Sequence, residues 1–163
     1  ASIETTRVAS IYLPNGNPAP GPKFDYKLQW MDRLNQRAAA LLASEQPIVL
    51  GGDFNVIPDD LDCYDPIGWE GDALTLPETR QAFRNLAYTG YYDALRARYP
   101  HEVIYTYWDY QAGAWQRDHG VRIDQLVLSP EAVDRLGAVG VDKAPRGLEK
   151  PSDHTPIWCK LIL

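Results

Sequence analysis

The sequence lacks several features that mark particular classes of protein. Its 163 residues contain two cysteines, Cys63 and Cys159, which form no disulfide framework and suit a reducing cytosol. We find no secretory signal peptide and no apolar run long enough to span a bilayer, so we expect a cytoplasmic protein without a membrane partner. Basic residues are outnumbered, 16 Lys and Arg against 22 Asp and Glu, which excludes a uniformly basic binder of nucleic acid. A polyanion would have to be held by a local basic patch or through a metal.

The remaining composition is that of an ordinary globular domain. The length and an apolar content of 45% predict one domain over residues 1–163, with a sizeable core and no separate linker or internal repeat. The chain begins at Ala1 rather than methionine, which we interpret as the mark of a processed or truncated product.

Alternating strand and helix patterns predict an α/β fold. The clearest pattern is a helix over 23–44, where apolar residues recur at helical spacing and form one core-facing stripe. Strands are expected at 7–13, 47–54, 103–108, 122–129 and 155–163, shorter helices at 77–88, 92–99 and 129–136, and irregular chain at 56–77 and 137–150.

Three of the expected strands are nearly continuous apolar runs. The runs at 48–50, 126–128 and 157–163 are typical of strands that are covered on both faces of a sheet. The expected helices could cover one face but hardly both. We therefore expect a second sheet or a partner on the other face.

The segment PIVLGGDFN at 47–55 joins a buried strand to a polar tip. Asp53 and Asn55 are two residues apart, so in extended chain their side chains leave the same face. A carboxylate and a carboxamide placed side by side can share one hard cation or one reacting phosphate. The alternative is an ordinary turn, because Gly, Asp and Asn are common turn residues.

The loop that follows, 56–77, is rich in aspartate. It lacks the regular ligand spacing and the central glycine of a calcium-binding loop. We therefore expect a solvated loop rather than a calcium site.

Two further polar features stand at strand ends. Asp124 is a lone acid in an apolar strand, and an unpaired buried carboxylate would be unfavourable, so we expect it to have a partner. Histidine is the natural partner, and His154 follows Asp153 just before the terminal strand. The alternatives are that Asp124 is an inward charge protecting an edge strand and that His154 is a loop residue without a role.

Ordered motifs over nearly the whole chain resemble a known family. The segments LGGDFN at 50–55, RIDQLVLS at 122–129 and SDHTPI at 152–157 resemble three ordered motifs of the exonuclease/endonuclease/phosphatase superfamily. Within that superfamily, YLPNG at 12–16, TYWDY at 106–110 and EKPSDH at 149–154 resemble the exonuclease III branch of abasic-site endonucleases.

The resemblance implies roles for the matching residues. For catalysis these are Tyr12 at the scissile phosphate, Asp53 as acid or base, Asn55 orienting the nucleophile, and Asp124 paired with the phosphate-binding His154. The implied metal-site residues are Asp53, Asn55 and Asp153, and Tyr107, Val121 and Ile123 are implied to line the pocket for the base-free sugar.

The resemblance also favours a basic rim that contacts DNA phosphates on an otherwise acidic protein. Its expected members are Arg117, Arg122, Lys143, Arg146 and Lys150. The alternative is that these are solvated charges without a ligand.

The implied fold is the C-terminal portion of a four-layer α/β/β/α sandwich of the DNase I-like type. The implied activity is metal-dependent phosphodiester hydrolysis in DNA repair, as a 3′–5′ exonuclease and abasic-site endonuclease. The implied cofactor is Mg²⁺, with Mn²⁺ as a substitute, and the implied partner is double-stranded DNA with abasic sites or 3′ ends.

The chain departs from the family pattern in one respect. Family members carry an N-terminal half before the YLPNG strand, with a second sheet and the glutamate that is the principal metal ligand. Neither is present in this sequence. We therefore expect residues 1–163 alone to be weakly active or inactive. We also expect them either to self-associate through an uncovered sheet face or to persist only with the missing half bound noncovalently.

Two other functions stay open from the sequence. A different phosphoesterase of the superfamily would act on a phospholipid or an inositol phosphate. A non-enzymatic α/β module would bind a partner or nucleic acid without hydrolysis.

Overall fold

The structure, a computed structural model, describes residues 1–162 and contains two sheets. The strands are β1 (Ser2–Ile3), β2 (Thr6–Tyr12), β3 (Ile48–Asp53), β4 (Tyr92–Asp93), β5 (Asp124–Leu128), β6 (Leu136–Val141) and β7 (Ile157–Leu161). The helices are α1 (Pro22–Leu42), α2 (Pro77–Thr89), α3 (Ala94–Arg98) and α4 (Pro130–Val133), with 3₁₀ turns at Asp60–Asp62 and Ala144–Gly147. None of the helices in this range has the length and apolar character needed to cross a membrane.

The larger sheet has the strand order β1-β2-β3-β5-β4, and β6 pairs with β7 in a separate two-stranded sheet. Strands β2 and β3 are parallel and are joined through α1, whereas β5 runs antiparallel to β3. This strand–helix–strand unit is the α/β arrangement that the sequence predicted.

One face of the larger sheet packs against the two long helices. The buried cluster on that face includes Met31 and Ala38 of α1, Phe83 and Leu86 of α2, and Ile48, Leu50 and Val127 of the sheet. Removing this apolar surface from water supplies the main driving force for the α1–sheet–α2 layer.

The opposite face of the larger sheet is covered in part by β6 and β7. Val49, Leu126 and Leu128 form a buried cluster there with Val139 of β6, and α3 and α4 close its sides. A small second sheet of two strands, which supplies part of the expected cover, is therefore present in the chain itself. The expectation of a bare sheet face is wrong for the part that β6 and β7 cover, and self-association of the chain stays a prediction.

Most of the expected elements are confirmed, namely the strands at 7–13, 47–54 and 122–129 and the helices at 23–44, 77–88 and 129–136. The terminal strand is present as β7, and Leu163 lies outside the described residues. A two-residue strand, β4, precedes the helix expected at 92–99.

Two expectations are wrong. The aromatic segment 103–108 is irregular, and only Tyr107 makes isolated bridges, to Val121 and His154. The segment 137–150 is predicted to be irregular, but its first part completes β6. Pairing with β7 along five registered positions outweighs the weak strand propensity of glycine.

Candidate active site

The strand register places three polar residues in one row at the end of the larger sheet. Tyr12 of β2 lies opposite Asp53 of β3, and Asp53 lies opposite Asp124 of β5. Directly opposed residues of neighbouring strands extend from the same face of a sheet. The motifs that are far apart in sequence therefore meet on one face, the face that β6 and β7 cover farther along the strands.

The close approach of β2 and β3 depends on a glycine. Gly52 has φ 139°, and a Cβ atom at this position would lie 2.1 Å from the carbonyl oxygen of Ile11. Only glycine fits there, so the strand that ends at Asp53 can lie against β2.

Asp53 and Asn55 hold one another in a fixed arrangement. The backbone N–H of Asn55 donates to Asp53 Oδ1 at 2.8 Å, and Asn55 Nδ2 donates to Asp53 Oδ2 at 3.0 Å. Asn55 Nδ2 also donates to the carbonyl of Leu13 at 2.8 Å, and Asn15 Nδ2 donates to Asn55 Oδ1 at 3.2 Å. Asn55 has φ 47°, a left-handed conformation that asparagine tolerates better than most residues. The tip is therefore a rigid polar cluster and not merely a solvated turn.

The expected contact between Asp124 and a histidine is present. His154 Nδ1 lies 2.8 Å from Asp124 Oδ2. The backbone N–H of Asp124 donates to Thr106 Oγ1 at 3.1 Å, and the backbone N–H of His154 donates to Ser152 Oγ at 3.1 Å. Since Nδ1 is engaged with the carboxylate, Nε2 is the ring nitrogen left to meet a ligand.

The environment shifts the proton affinities of this site. Burial raises the pKa of Asp53 to about 6; the hydrogen bond from Asn55 opposes the shift, and the charge of Asp124 adds to it. Burial alone would lower the pKa of His154, but the hydrogen bond and the charge of Asp124 outweigh it and raise the pKa above its ordinary value. The site therefore favours the charged form of the His154 imidazole, and the carboxyl group of Asp53 has a pKa of about 6.

A cavity of about 280 Å³ opens over the row. Seven of the residues singled out in the sequence line it, namely Tyr12, Asp53, Asn55, Tyr107, Val121, Ile123 and His154. Asp124 lies behind His154, and Asp153 is not among the lining residues.

Sequence reasoning missed part of the cavity wall. Asn17, Trp69 and Asp72 also line it, and Asn17 Nδ2 donates to both carboxylate oxygens of Asp72 at 3.1 Å. The expectation of a solvated loop over 56–77 is therefore wrong at Asp72, and also at Asp62, which is 0% exposed. For Asp62 and Asp72 the only sequence signal is the density of aspartates, which by itself does not separate a solvated loop from a structured one; no signal marks Asn17 or Trp69.

Two members of the expected basic rim are buried. Arg122 is 0% exposed, and its Nε and Nη1 lie 2.7 Å from carboxylate oxygens of Asp62 and Asp93, respectively. Arg146 is 6% exposed, and its Nη2 donates to the carbonyl of Trp108 at 3.1 Å. The expectation that these two arginines contact DNA phosphates is wrong, because their side chains are enclosed by the fold.

The remaining members of the rim are exposed, namely Arg117, Lys143 and Lys150. Lys143 Nζ lies 3.6 Å from Asp118 Oδ1 in a contact that is open to solvent. Such exposed pairs are weak, so Lys143 stays accessible to another anion.

The residues present do not complete a metal centre. Within residues 1–162, no three His, Cys, Asp or Glu side chains converge as a metal site would require. Both oxygens of Asp53 already accept hydrogen bonds from Asn55, and Asp153 Oδ1 accepts a long hydrogen bond of 3.5 Å from Ser152 Oγ. The donor set of the described residues therefore does not by itself fit a resident Mg²⁺ ion.

Comparisons with known proteins agree with this arrangement. Residues 2–154 match the sequence profile of the endonuclease/exonuclease/phosphatase family. Exodeoxyribonuclease III of Haemophilus influenzae is 32% identical over 163 aligned positions, which cover 94% of this chain and 60% of that protein.

Two solved structures are closely similar. The 3′ phosphatase NExo of Neisseria, bound to a product DNA hairpin, has a TM-score of 0.95 and 37% identity and is matched over 99% of this chain and 63% of that one. An AP endonuclease of Archaeoglobus fulgidus has a TM-score of 0.94 and 32% identity and is likewise matched over 99% and 63%. These similarities confirm the predicted α/β sandwich of the DNase I-like type.

This chain spans about 60% of the length of the curated exodeoxyribonuclease that it matches. The family match begins before β2 and ends at His154, so it includes every strand of the polar row. The chain belongs to the endonuclease/exonuclease/phosphatase family.

Proposed function

We propose that the protein containing this chain hydrolyses phosphodiester bonds of DNA, both at abasic sites and from 3′ ends. The observation that carries the proposal is the row Tyr12–Asp53–Asp124, completed by His154 at an open cavity. The names of the similar proteins support the choice of DNA, since they include an exodeoxyribonuclease III, a 3′ phosphatase bound to DNA and an AP endonuclease.

The side chains of the row match the charges that develop during hydrolysis. Attack on a phosphodiester places negative charge on the non-bridging and leaving oxygens, so hydrogen-bond donors aimed at them stabilise the transition state. His154, whose charged form is favoured by the neighbouring Asp124, donates to a phosphate oxygen through Nε2. The hydroxyl of Tyr12, which is 78% exposed, donates to a second phosphate oxygen.

Asp53 acts as the proton acceptor for the attacking water. Its pKa of about 6 leaves it mostly ionised at neutral pH yet basic enough to take a proton. Asn55, bound to both of its oxygens, keeps the carboxylate in one orientation.

The cavity wall beside the row suits a sugar without a base. Tyr107, Val121 and Ile123 form its apolar side, and the Tyr107 ring meets the edge of His154 at a centroid distance of 5.0 Å. An abasic deoxyribose presents an apolar ring face at the position where a nucleotide would carry a base. The exposed rim residues Arg117, Lys143 and Lys150 contact phosphates of the flanking duplex.

Magnesium, with manganese as a substitute, is part of the proposal. When bound, a divalent cation stabilises negative charge on the phosphate oxygens. The candidate oxygen donors are Asp53 and Asn55, with Asp153 farther from the cavity. Because these donors do not complete a site, we expect Mg²⁺ to bind residues 1–163 weakly. Titration with Mn²⁺, read by paramagnetic broadening of amide signals, would broaden Asp53 and Asn55 before Asp153.

The test compares substrates in one assay of the whole protein. The substrates are an end-labelled duplex with one abasic site, a duplex with a recessed 3′ end, a duplex with a 3′ phosphate, and vesicles containing phosphatidylinositol phosphates. We expect cleavage of the DNA substrates and its loss on chelation of divalent cations. Release of phosphate from the vesicles alone would overturn the choice of DNA. Binding of DNA without hydrolysis of any substrate would overturn the enzymatic function itself.

A further inference from the structure

A lysine is buried beneath the loops that line the cavity. Lys27 of α1 is 0% exposed, although lysine is almost never fully buried unless its charge is satisfied. Its Nζ donates to the carbonyl oxygens of Asn55 at 2.6 Å, Asn15 at 2.9 Å and Ala73 at 3.2 Å. An ammonium group has three N–H donors, so each of them has a backbone acceptor.

The three carbonyls belong to three different segments. Asn15 follows β2, Asn55 follows β3, and Ala73 precedes α2. The same segments supply much of the cavity wall, through Asn15, Asn55 and Asp72. One side chain therefore connects loops that are 12, 28 and 46 residues away from it in sequence.

Other contacts show that this connection is close-fitting. A Cβ atom at Gly16, where φ is +93°, would lie 2.6 Å from Lys27 Cδ, so the loop after β2 can cross the lysine stem only as glycine. The hydrogen bonds of Asn15 to Asn55 and of Asn17 to Asp72 join the same loops on the cavity side. The loops are therefore linked to one another by side-chain hydrogen bonds on the cavity side, and to Lys27 by backbone hydrogen bonds beneath the cavity.

We infer that Lys27 is a positioning residue of the site: its ammonium group fixes the three loops relative to one another and so maintains the shape of the cavity. It lines no part of the cavity, so it would not touch a substrate bound there. The inference on loop geometry stands on the contacts alone, whereas its consequence for turnover rests on the proposed function.

The first test is made on the unaltered chain. The ammonium protons of Lys27 should exchange slowly with water in ¹⁵N-detected spectra and show couplings across hydrogen bonds to three carbonyl carbons. Lys23, exposed on the same helix, is the internal control and should exchange rapidly. Rapid exchange of Lys27 would overturn the inference, and this test does not depend on a variant that folds.

The second test compares Lys27→Met with Met31→Ala. Methionine removes the three donors but keeps the length of the side chain, and Met31 lies one turn farther along α1 in the apolar core. We expect Lys27→Met to speed amide exchange at Asn17, Asn55 and Ala73 about tenfold or more beyond the change at Leu50, because several buried hydrogen bonds are lost together. Met31→Ala should change the amide exchange rates of the loop residues and of Leu50 to the same extent.

The third test measures turnover in the whole protein. In Lys27→Met the three loops are no longer fixed relative to one another, so kcat on abasic duplex should fall by more than tenfold. KM should change little, since the groups that touch the substrate remain. A purely structural lysine would give the same turnover per folded molecule and the same loop exchange as Met31→Ala, which would overturn the inference. If even the unaltered protein cleaves no DNA, the proposed function fails, and the exchange tests still decide the positioning role.

Discussion

Arg122 and Asp124 lie two residues apart in one motif, yet the structure places their charges in opposite situations. Arg122 is enclosed with Asp62 and Asp93, and none of these ion pairs faces the cavity over the polar row. Asp124 is also buried, but its partner His154 lies at that cavity. The difference teaches that a charge serves the fold when its partners are neighbouring side chains away from the active-site cavity. It serves chemistry when the last member of the pair meets a cavity.

The largest expected effect concerns the enclosed pair. Arg122→Met removes the cation shared by the buried carboxylate of Asp62 and the half-buried carboxylate of Asp93, and it leaves Asp62 with Arg96 alone. We expect the free energy of unfolding to fall by about 3–5 kcal/mol, as for other buried ion pairs that lose one partner. Urea denaturation followed by circular dichroism measures it.

The exposed Arg117→Met is the matched control and should change stability by no more than about 0.5 kcal/mol. Equal stability of the two variants would mean that Arg122 is not enclosed as the structure shows.

The next effect concerns the pair at the cavity. Asp124→Asn in the whole protein should reduce kcat for cleavage of abasic duplex by about 10²–10³, because an amide does not hold His154 in its charged form. The loss of stability should be smaller than for Arg122→Met. Single-turnover kinetics with a labelled duplex measure the rate.

The exposed Asp134→Asn is the control for removal of one carboxylate and should cleave normally. Near-normal cleavage by Asp124→Asn would show that the pair with His154 has no catalytic role.

The pH dependence of stability tests the environment of Asp53 at the cavity. The pKa of Asp53 is raised to about 6, so its contribution to stability is present at low pH and is lost as the pH rises through about 6. We expect the stability difference between Asp53→Asn and the unaltered chain to shift in favour of the variant between pH 4 and 7. The shift should reach about 1–3 kcal/mol, because Asp53 is not fully buried. A difference that is independent of pH would contradict the raised pKa.

The smallest effect concerns the surface charges. Replacing Arg117 and Lys143 together by glutamine should flatten the salt dependence of duplex binding by about 1.8 in the logarithmic slope, or about 0.9 for each lost phosphate contact. Lys160→Gln on β7, away from the row, should leave the slope unchanged. An unchanged slope in the double variant would show that the exposed rim does not contact DNA.

The sequence predicted the polar row better than its surroundings. Asp53, Asp124 and His154 were found because each stands at a strand end where an unpaired polar group demands an explanation. Arg122 was misassigned because its charge suggested a phosphate, and its buried partner Asp62 is 60 residues away. Such a long-range partner leaves no local pattern.

Lys27 was overlooked for a different reason. It lies three residues after Phe24 and four before Met31, within the apolar stripe of α1. A search for apolar residues at helical spacing does not detect a lysine between them, although the position of Lys27 on the apolar face predicts its burial. The strand β6 was missed because its pairing with β7, not its own sequence, makes it a strand.

The glycine at position 52 has a consequence for how this gene tolerates mutation. An apolar run covered on both faces does not by itself resist a one-residue slip, yet a slip would turn Asp53 away from Tyr12 and Asp124. A slip that brought Asp53 opposite Ile11 would make its side chain collide with the Ile11 carbonyl, so the close approach at Gly52 disfavours that misaligned pairing. In a deep mutational scan, substitutions at Gly52 and single-codon deletions in 48–52 should therefore be depleted alike, while conservative changes at Val49 survive.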